Sequence, residues 1–298
     1  MTNRLSTCGM FGIVVLTVVG AVVCSAQYLP SNKVRPDDGL SSQLVKTGLY
    51  VFTGKGSNSV LRLSGNGLIL VDGKLPGSYE ALVARAEVIS RQPIRALILT
   101  DLSEASAGNA ATFLQNGTAI ILQSNLAQNV ISKNFQGTAP KGMVTFDHDY
   151  QIRMGGIEAQ LMHFGNAYSN SDTVVYFPNL KVIAVGRLYG STVDPDFAAG
   201  GSLVGWSSVL AQVLKLDFDT VVPGTGPVGT RADLEAFKNR IDTLVARASE
   251  LVKKGVPKEQ LMSQLKTDDL GWHLDLTPDQ LDHFYAELLR TEQSRNGT

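Results

Sequence analysis

Residues 98–113 read ILTDLSEASAGNAATF, and this stretch decides the fold class of the chain. Its first three residues end an apolar run that is typical of a buried strand, and a polar turn follows. Gly108 and Asn109 then open a run of small residues that is typical of a helix start. The stretch therefore predicts a strand, a polar turn and a helix, arranged like the mouth of an active site.

Strands and helices alternate on both sides of this stretch. Three short β-like runs separated by glycine and asparagine precede it, and a helical stripe and a buried strand lead into it. These segments cover 48–54, 57–65, 67–73, 78–90 and 94–100. A strand, a helix and a strand in succession predict a crossover between neighbouring parallel strands. A helix over 108–114, a strand over 119–123 and a helix opened by Ser124 continue the pattern.

The second half of the chain repeats this mixture of strands and helices. Short β-like runs are predicted around 144–146, 151–154, 157–163, 173–177, 181–185 and 219–224, and helices are predicted over 231–254, 258–265 and 278–295. Ser202 is a good N-cap residue before a further helix with spaced apolar residues. Two mixed β-rich halves with helices favour an α/β fold in which two sheets pack face to face with helices outside.

Length and composition are those of an ordinary globular protein. The chain has 298 residues, of which 44% are hydrophobic and 18% charged, so it can bury a sizeable core. Its formal net charge is -1, with acidic and basic residues interspersed. Because this charge gives no long-range positive field, we expect neither nucleic acid nor an anionic membrane surface as a partner.

The N-terminal residues are typical of an export signal. Arg4 precedes an apolar run over 11–23, and small residues follow, so residues 1–26 are predicted to be a signal peptide cleaved before Gln27. An uncleaved membrane anchor is the alternative, and lipidation at Cys24 is disfavoured by the preceding valine. Both cysteines of the chain lie in this leader, so the mature chain would contain no thiol. Residues 27–47 are predicted to be a linker, followed by one domain over 48–298.

The ordered motifs resemble the metallo-β-lactamase superfamily from about residue 48 to residue 233. The matching segments are GLILVDG (67–73), LILT (97–100), GN (108–109), HFGNAYSNSDTVVYFP (163–178), VIAVGRLYG (182–190) and VVPGTGPV (221–228). The resemblance implies an αββα sandwich whose site lies at the loop ends between the two sheets. It also implies zinc as the cofactor and hydrolysis as the activity.

The family's metal ligands are absent from the matching positions. In the family, the loop after the strand that corresponds to 94–100 reads His, any residue, His, any residue, Asp, His. Alternate residues of an extended segment point the same way, so the first two histidines can bind the same zinc. Three further ligands follow in later motifs. By this resemblance, the seven ligand positions hold Asp101, Ser103, Ala105, Ser106, Tyr168, Arg187 and Thr225. We therefore predict no cofactor and treat these residues as pocket candidates.

The four histidines do not suggest a displaced zinc site. His163 ends a predicted strand and is interpreted as a structural residue, and His148 lies in a predicted surface turn. His273 and His283 fall in the C-terminal helical region, where packing or surface roles are expected. No three histidines have zinc-ligand spacing.

A cation at the altered site is also disfavoured. Asp101, Glu104 and Asp172 offer oxygen ligands for a hard cation, but Arg187 would repel any cation placed where a bridging carboxylate is expected. We instead predict an ion pair between Arg187 and Asp101. In the alternative, Arg187 points to water and Asp101 caps the turn that follows it.

These features predict an exported, non-catalytic binding protein for a small-molecule or protein ligand. The alternative is a hydrolase of the superfamily that uses an atypical metal site or hydroxyl chemistry, with Ser103, Ser106, Tyr168 and Thr225 as the available hydroxyls.

Overall fold

The first sheet begins with four antiparallel strands. The computed structural model describes residues 38–134, 139–272 and 274–296. Glycines in the tight turns allow the strands to follow one another directly, because Gly48 has φ +73° and Gly67 has φ +129°. The strands are β1 (Ser41–Lys46), β2 (Leu49–Thr53), β3 (Ser59–Ser64) and β4 (Gly67–Val71). The predicted meander is therefore confirmed from β2 to β4.

The folded part begins earlier than predicted. Ser41–Lys46 falls in the predicted linker over 27–47, but it pairs antiparallel with β2. The side chains of β1 are mostly exposed, so no apolar alternation marks it as a strand. The predicted boundary at residue 48 is therefore wrong. The predicted signal peptide lies outside the described residues.

Three parallel strands complete the first sheet. Helices link β4 to the next strand and each strand to the one that follows, because neighbouring parallel strands need a crossover connection. In chain order these elements are α1 (Tyr79–Ile89), β5 (Ile94–Ile98), α2 (Glu104–Ala107), α3 (Ala110–Gln115), β6 (Ala119–Gln123), α4 (Ser124–Asn134) and β7 (Met143–Phe146). The short α2 was not predicted, because four residues are too few to show helical periodicity.

The second sheet and its connecting helix follow in the chain as β8 (Asp149–Met154), β9 (Ile157–Met162), β10 (Val174–Phe177), β11 (Val182–Ala184), α5 (Leu203–Val213), β12 (Thr220–Val222) and β13 (Gly229–Thr230). The strand order in this sheet is β13-β12-β11-β10-β9-β8. Only its β11–β12 pair is parallel, and α5 forms the crossover between these two strands. The predicted cap is confirmed, since Ser202 Oγ accepts a hydrogen bond of 2.8 Å from Gly205 N.

Three C-terminal helices cover the outer face of the second sheet, together with α5. They are α6 (Arg231–Lys253), α7 (Lys258–Gln264) and α8 (Pro278–Asn296). Thr230 and Asp233 form a reciprocal capping box at the start of α6. Buried residues such as Trp206, Phe237 and Phe284 fill the space between these helices and the sheet.

Two mixed sheets pack face to face, with helices on both outer faces. Val51, Ile69 and Ile98 of the first sheet contribute to the same buried cluster as Leu161 and Val175 of the second. A second cluster joins the outer face of the first sheet to α1, α3 and α4. The αββα sandwich is therefore confirmed. Within the described ranges, no helix is both long and apolar enough to span a bilayer.

Loops from both sheets meet at one end of this sandwich. Thr173 N, just before β10, donates a 2.9 Å hydrogen bond to Thr100 O, just after β5. Asn58 N, just before β3, donates a 2.8 Å bond to Gly224 O, just after β12. These backbone bonds bring the predicted site residues to the same end of the fold.

Candidate functional site

Asp101 is the centre of a buried hydrogen-bond network. It lies just beyond β5, and only 1% of its surface is exposed. Its carboxylate accepts bonds of 2.8 Å from Ser103 N, 3.0 Å from Ser106 Oγ and 3.2 Å from Thr100 Oγ1. Asp101 therefore caps the turn that leads into α2, as the alternative arrangement predicted.

The network extends to the loop between β2 and β3. Ser57 Oγ lies 2.8 Å from Ser106 Oγ, and Ser57 N donates a 3.0 Å bond to Ala105 O. Ser103 Oγ also donates a 3.3 Å bond to Ser106 Oγ. The first four candidate positions are thus brought together, but hydroxyl and backbone contacts inside the protein occupy their polar groups. Ala105 takes part through its backbone.

Lys74 is the site residue that sequence reasoning missed. Its side chain is fully buried, and its Nζ donates bonds of 3.0 Å to Phe52 O and 2.5 Å to Ser57 O. Burial lowers the pKa of Lys74 to about 8, and the nearby charge of Asp72 acts in the opposite direction. Lys74 therefore places a buried amino group against β2 and the loop that carries Ser57.

The turn that carries Lys74 has an unusual backbone. Asp72 has φ +62° and Lys74 has φ +64°, a region that residues other than glycine seldom adopt. Asn109 Nδ2 holds this turn with 2.7 Å bonds to both Gly73 O and Leu75 O. The Gly-Asn motif at 108–109 thus has a structural role. A lysine directly after the Asp-Gly that ends a buried strand was the available signal.

Two further buried aspartates flank Asp101. Asp72 accepts bonds from Thr100 N at 2.9 Å and Thr100 Oγ1 at 2.7 Å. Asp172 accepts bonds from Ser169 N at 2.9 Å and Ser169 Oγ at 2.7 Å. Burial, followed by the charge of Asp101, raises the pKa of Asp72 to about 8, although the Thr100 bonds oppose this. Burial likewise raises the pKa of Asp172 to about 8. Both groups therefore favour the protonated form in the fold.

These two carboxyls predict that the protein becomes more stable as the pH falls from about 8 to about 5. Their ordinary pKa is 3.8, so over this window the folded chain binds more protons than the unfolded chain. The free energy of unfolding should increase by about 1 kcal/mol per pH unit for each carboxyl. Urea unfolding at several pH values measures this slope. Asp172→Asn should reduce it, and a stability that increases with pH in this window would contradict the assignment.

Arg187 does not pair with Asp101, so this prediction is wrong. Its ion-pair partner within the described ranges is Asp194, with Nη2 3.9 Å from Oδ2. The guanidinium carbon lies 4.5 Å from the centre of the Tyr168 ring, a cation–π arrangement. Asp101 is instead buried and accepts hydrogen bonds from Ser103 N and Ser106 Oγ. The guanidinium is therefore left at the wall of a cavity.

That cavity has a volume of about 270 Å³. It is lined by the three candidates from the later motifs, Tyr168, Arg187 and Thr225, and by aromatic and hydroxyl side chains of the loop after β11 and of α5. Its lining comprises Tyr168, Arg187, Tyr189, Gly190, Ser191, Thr192, Asp194, Trp206 and Thr225. The seven candidates therefore divide into a hydrogen-bonded group around Asp101 and a group that lines the cavity.

The side chains present do not fit the zinc that the fold family implies. Zinc is bound by imidazole, thiolate and carboxylate groups, whereas the cavity offers a guanidinium, hydroxyls and one exposed aspartate. Across the described parts of the chain, no three His, Cys, Asp or Glu side chains are grouped so that they could hold a metal ion. No step of a metal-dependent reaction is therefore derived for this site.

The histidines that the structure describes lie outside the cavity. His163 Nδ1 is 2.9 Å from Asp172 O, which confirms its structural role. His148 is exposed in the turn before β8, and His283 of α8 stacks on Phe197 with the ring centres 5.7 Å apart. His273 lies outside the described residues.

Comparison with known proteins agrees with this geometry. No model of a protein family matches the chain. The chain is similar to the 2,4-dinitroanisole O-demethylase subunit alpha of Nocardioides sp. (strain JS1661), with 24% identity over 172 residues, 56% of this chain and 51% of that protein. It thus spans about half the length of that relative. It is also similar to the metallo-beta-lactamase type 2 of Bacillus cereus, with 25% identity over 194 residues, 63% of this chain and 74% of that enzyme.

Solved structures show the same architecture. A metallo-beta-lactamase from Pontibacter korlensis aligns with a TM-score of 0.61 and 19% identity, covering 68% of this chain and 99% of that one. The chain has the metallo-β-lactamase superfamily fold, with two mixed β-sheets between layers of helices.

Proposed function

We propose that this protein is an exported, non-catalytic binding protein, in which the altered metal site holds a ligand without hydrolysing it. The observation that carries the proposal is the position of Arg187, which stacks on Tyr168 in a cavity lined by three of the seven altered ligand positions. A fixed positive charge there opposes a metal ion and offers donors to a ligand.

The buried network supports the same proposal. Zinc-dependent hydrolysis needs an ion that activates water, whereas Asp101, Ser103 and Ser106 already satisfy one another by hydrogen bonds. Burial raises the pKa of Asp72 and of Asp172 to about 8, so these acidic turns do not depend on a metal for charge balance. The fold can then be stable without a metal ion.

Hydrolysis by a hydroxyl group is the second candidate, and Lys74 is the observation that favours it. A lysine with a lowered pKa is a possible general base for a serine, and its Nζ contacts the backbone of Ser57. However, Ser57 and Ser106 are fully buried and do not line the cavity. A substrate would not reach them, so the binding function is favoured.

A hydrolysis assay tests the proposal. We expect the purified protein, supplied with zinc, to hydrolyse neither p-nitrophenyl acetate nor the lactam nitrocefin above the rate of a heat-denatured sample, because the ligands that activate water are missing. Turnover that a chelator abolishes would establish a metal-dependent hydrolase instead. Turnover that survives chelation but is lost in Ser106→Ala would establish hydroxyl chemistry.

The export part of the proposal rests on the composition of residues 1–26. Intact mass analysis of the protein isolated from cells tests it. A mature chain that begins at Gln27 is expected, and a chain that retains the leader would favour the membrane anchor.

A further inference from the structure

Arg187 has unused hydrogen-bonding capacity in the cavity. A guanidinium carries five N–H donors in a rigid fork. Within residues 38–134, 139–272 and 274–296, no acceptor lies at hydrogen-bond distance from it, and Asp194 is its ion-pair partner at 3.9 Å. The Arg187 side chain is 26% exposed, so part of it remains accessible to a small molecule.

The other polar groups of the cavity are also suited to an acceptor. Thr225, Ser191 and Thr192 place exposed hydroxyls at its rim. Burial raises the pKa of Tyr168 to about 12, although Arg187 opposes this shift, so the phenol remains a protonated donor. Trp206 and Tyr189 provide apolar surface beside these donors. The cavity thus combines donors with aromatic walls.

We propose that this cavity binds a small organic anion whose carboxylate or phosphate group is held by Arg187 and the neighbouring hydroxyls. The inference rests on the proposed binding function and specifies the class of ligand. Carboxylate and phosphate each present two oxygens that match the guanidinium fork, which makes paired, charge-assisted hydrogen bonds with them. A volume of about 270 Å³ limits the organic part to a small group.

Asp194 is the internal competitor for this anion. Its side chain is 62% exposed, and its 3.9 Å separation from Arg187 makes the ion pair a weak one. An anion can displace it at little cost. Asp194→Asn removes the competing charge, so this variant should bind the anion more tightly than the unaltered protein does.

A second cavity, of about 470 Å³, provides a control. It lies between α5 and α8 and also contains an arginine, Arg290. Glu287 shares that cavity, and the charge of Arg290 acts on its carboxyl. Arg290→Gln therefore removes an arginine from a different cavity and should leave binding at Arg187 unchanged.

Calorimetric titration at low salt tests the inference with three probes: benzoate, phenyl phosphate and neutral benzamide. We expect benzoate or phenyl phosphate to bind, and Arg187→Gln to weaken that binding at least about tenfold. Arg187→Lys should retain only part of it, because an ammonium lacks the fork. The tighter of the two anions identifies carboxylate or phosphate as the group recognised.

Three outcomes would overturn the inference: no binding of either anion, equal binding of benzamide, or binding that Arg187→Gln leaves unchanged. These results are separable from failure of the proposed function. Chelator-sensitive hydrolysis would refute the non-catalytic function whatever the anions do. Absence of both hydrolysis and anion binding would leave the non-catalytic function in place and refute only the ligand class.

Discussion

Replacing Lys74 with methionine is expected to lower the free energy of unfolding by about 2–4 kcal/mol, because two buried carbonyl groups lose their donor. Methionine retains most of the buried side-chain volume, so the change isolates the ammonium. Its loss leaves Phe52 O and Ser57 O without their donor, and it removes the positive charge that acts on Asp72. Buried carbonyl groups without a hydrogen-bond donor lower the stability of the folded state. Urea denaturation followed by circular dichroism measures the change in the free energy of unfolding.

Lys55 provides a matched control on the neighbouring loop. Its side chain is exposed and its φ is +51°, close to the φ of Lys74. Lys55→Met should therefore change the stability by less than about 0.5 kcal/mol. If Lys74→Met were as stable as Lys55→Met, the ammonium would have no structural role.

Replacing Gly186 with alanine is expected to cost about 2–4 kcal/mol. Gly186 follows β11 with φ +50°, and a Cβ there would lie 2.6 Å from Thr100 Cβ. Thr100 cannot move freely, because its backbone N–H and hydroxyl both bond Asp72. The loops that follow β5 and β11 are therefore in close contact at Thr100 and Gly186. Forced separation should shift Arg187, the next residue.

Gly255→Ala is a control that separates the cost of the steric clash at Gly186 from the cost of a positive φ. Gly255 has φ +76° at the end of α6, and no atom lies within 4 Å of a Cβ built there. Gly255→Ala should cost only about 1 kcal/mol. Chemical denaturation of both variants gives the comparison, and anion titration of Gly186→Ala reports any displacement of Arg187. Equal costs for the two variants would show that the loops can separate without penalty.

The sequence predicts most of the fold, because apolar periodicity and turn residues agree along most of the chain. The strands β2 to β4 are bounded by glycine, and Ser202 caps α5 as expected. The strand β1 could not be predicted, since its exposed side chains give no alternating pattern. The two-sheet arrangement could be predicted because this order of strands and helices leaves few other ways to bury both faces of each sheet.

The candidate site was predictable in position but not in detail. Matching motifs suggested seven candidate positions, and the structure places them at one end of the sandwich in two groups. The partner of Arg187 was predicted wrongly because motif order does not show that Asp101 is buried and bonded to Ser103 and Ser106. Lys74 was missed because a lysine in a polar turn is ordinarily exposed.

The zinc content of the purified protein is the measurement that tests the central claim most directly. The protein should be equilibrated with micromolar zinc, dialysed, and analysed by mass spectrometry of the elements. A protein zinc site contributes on the order of 10 kcal/mol or more, so an intact site would retain its metal. We predict zinc far below one equivalent per chain, because a guanidinium and hydroxyls occupy the ligand positions. One or two tightly bound equivalents would contradict the account.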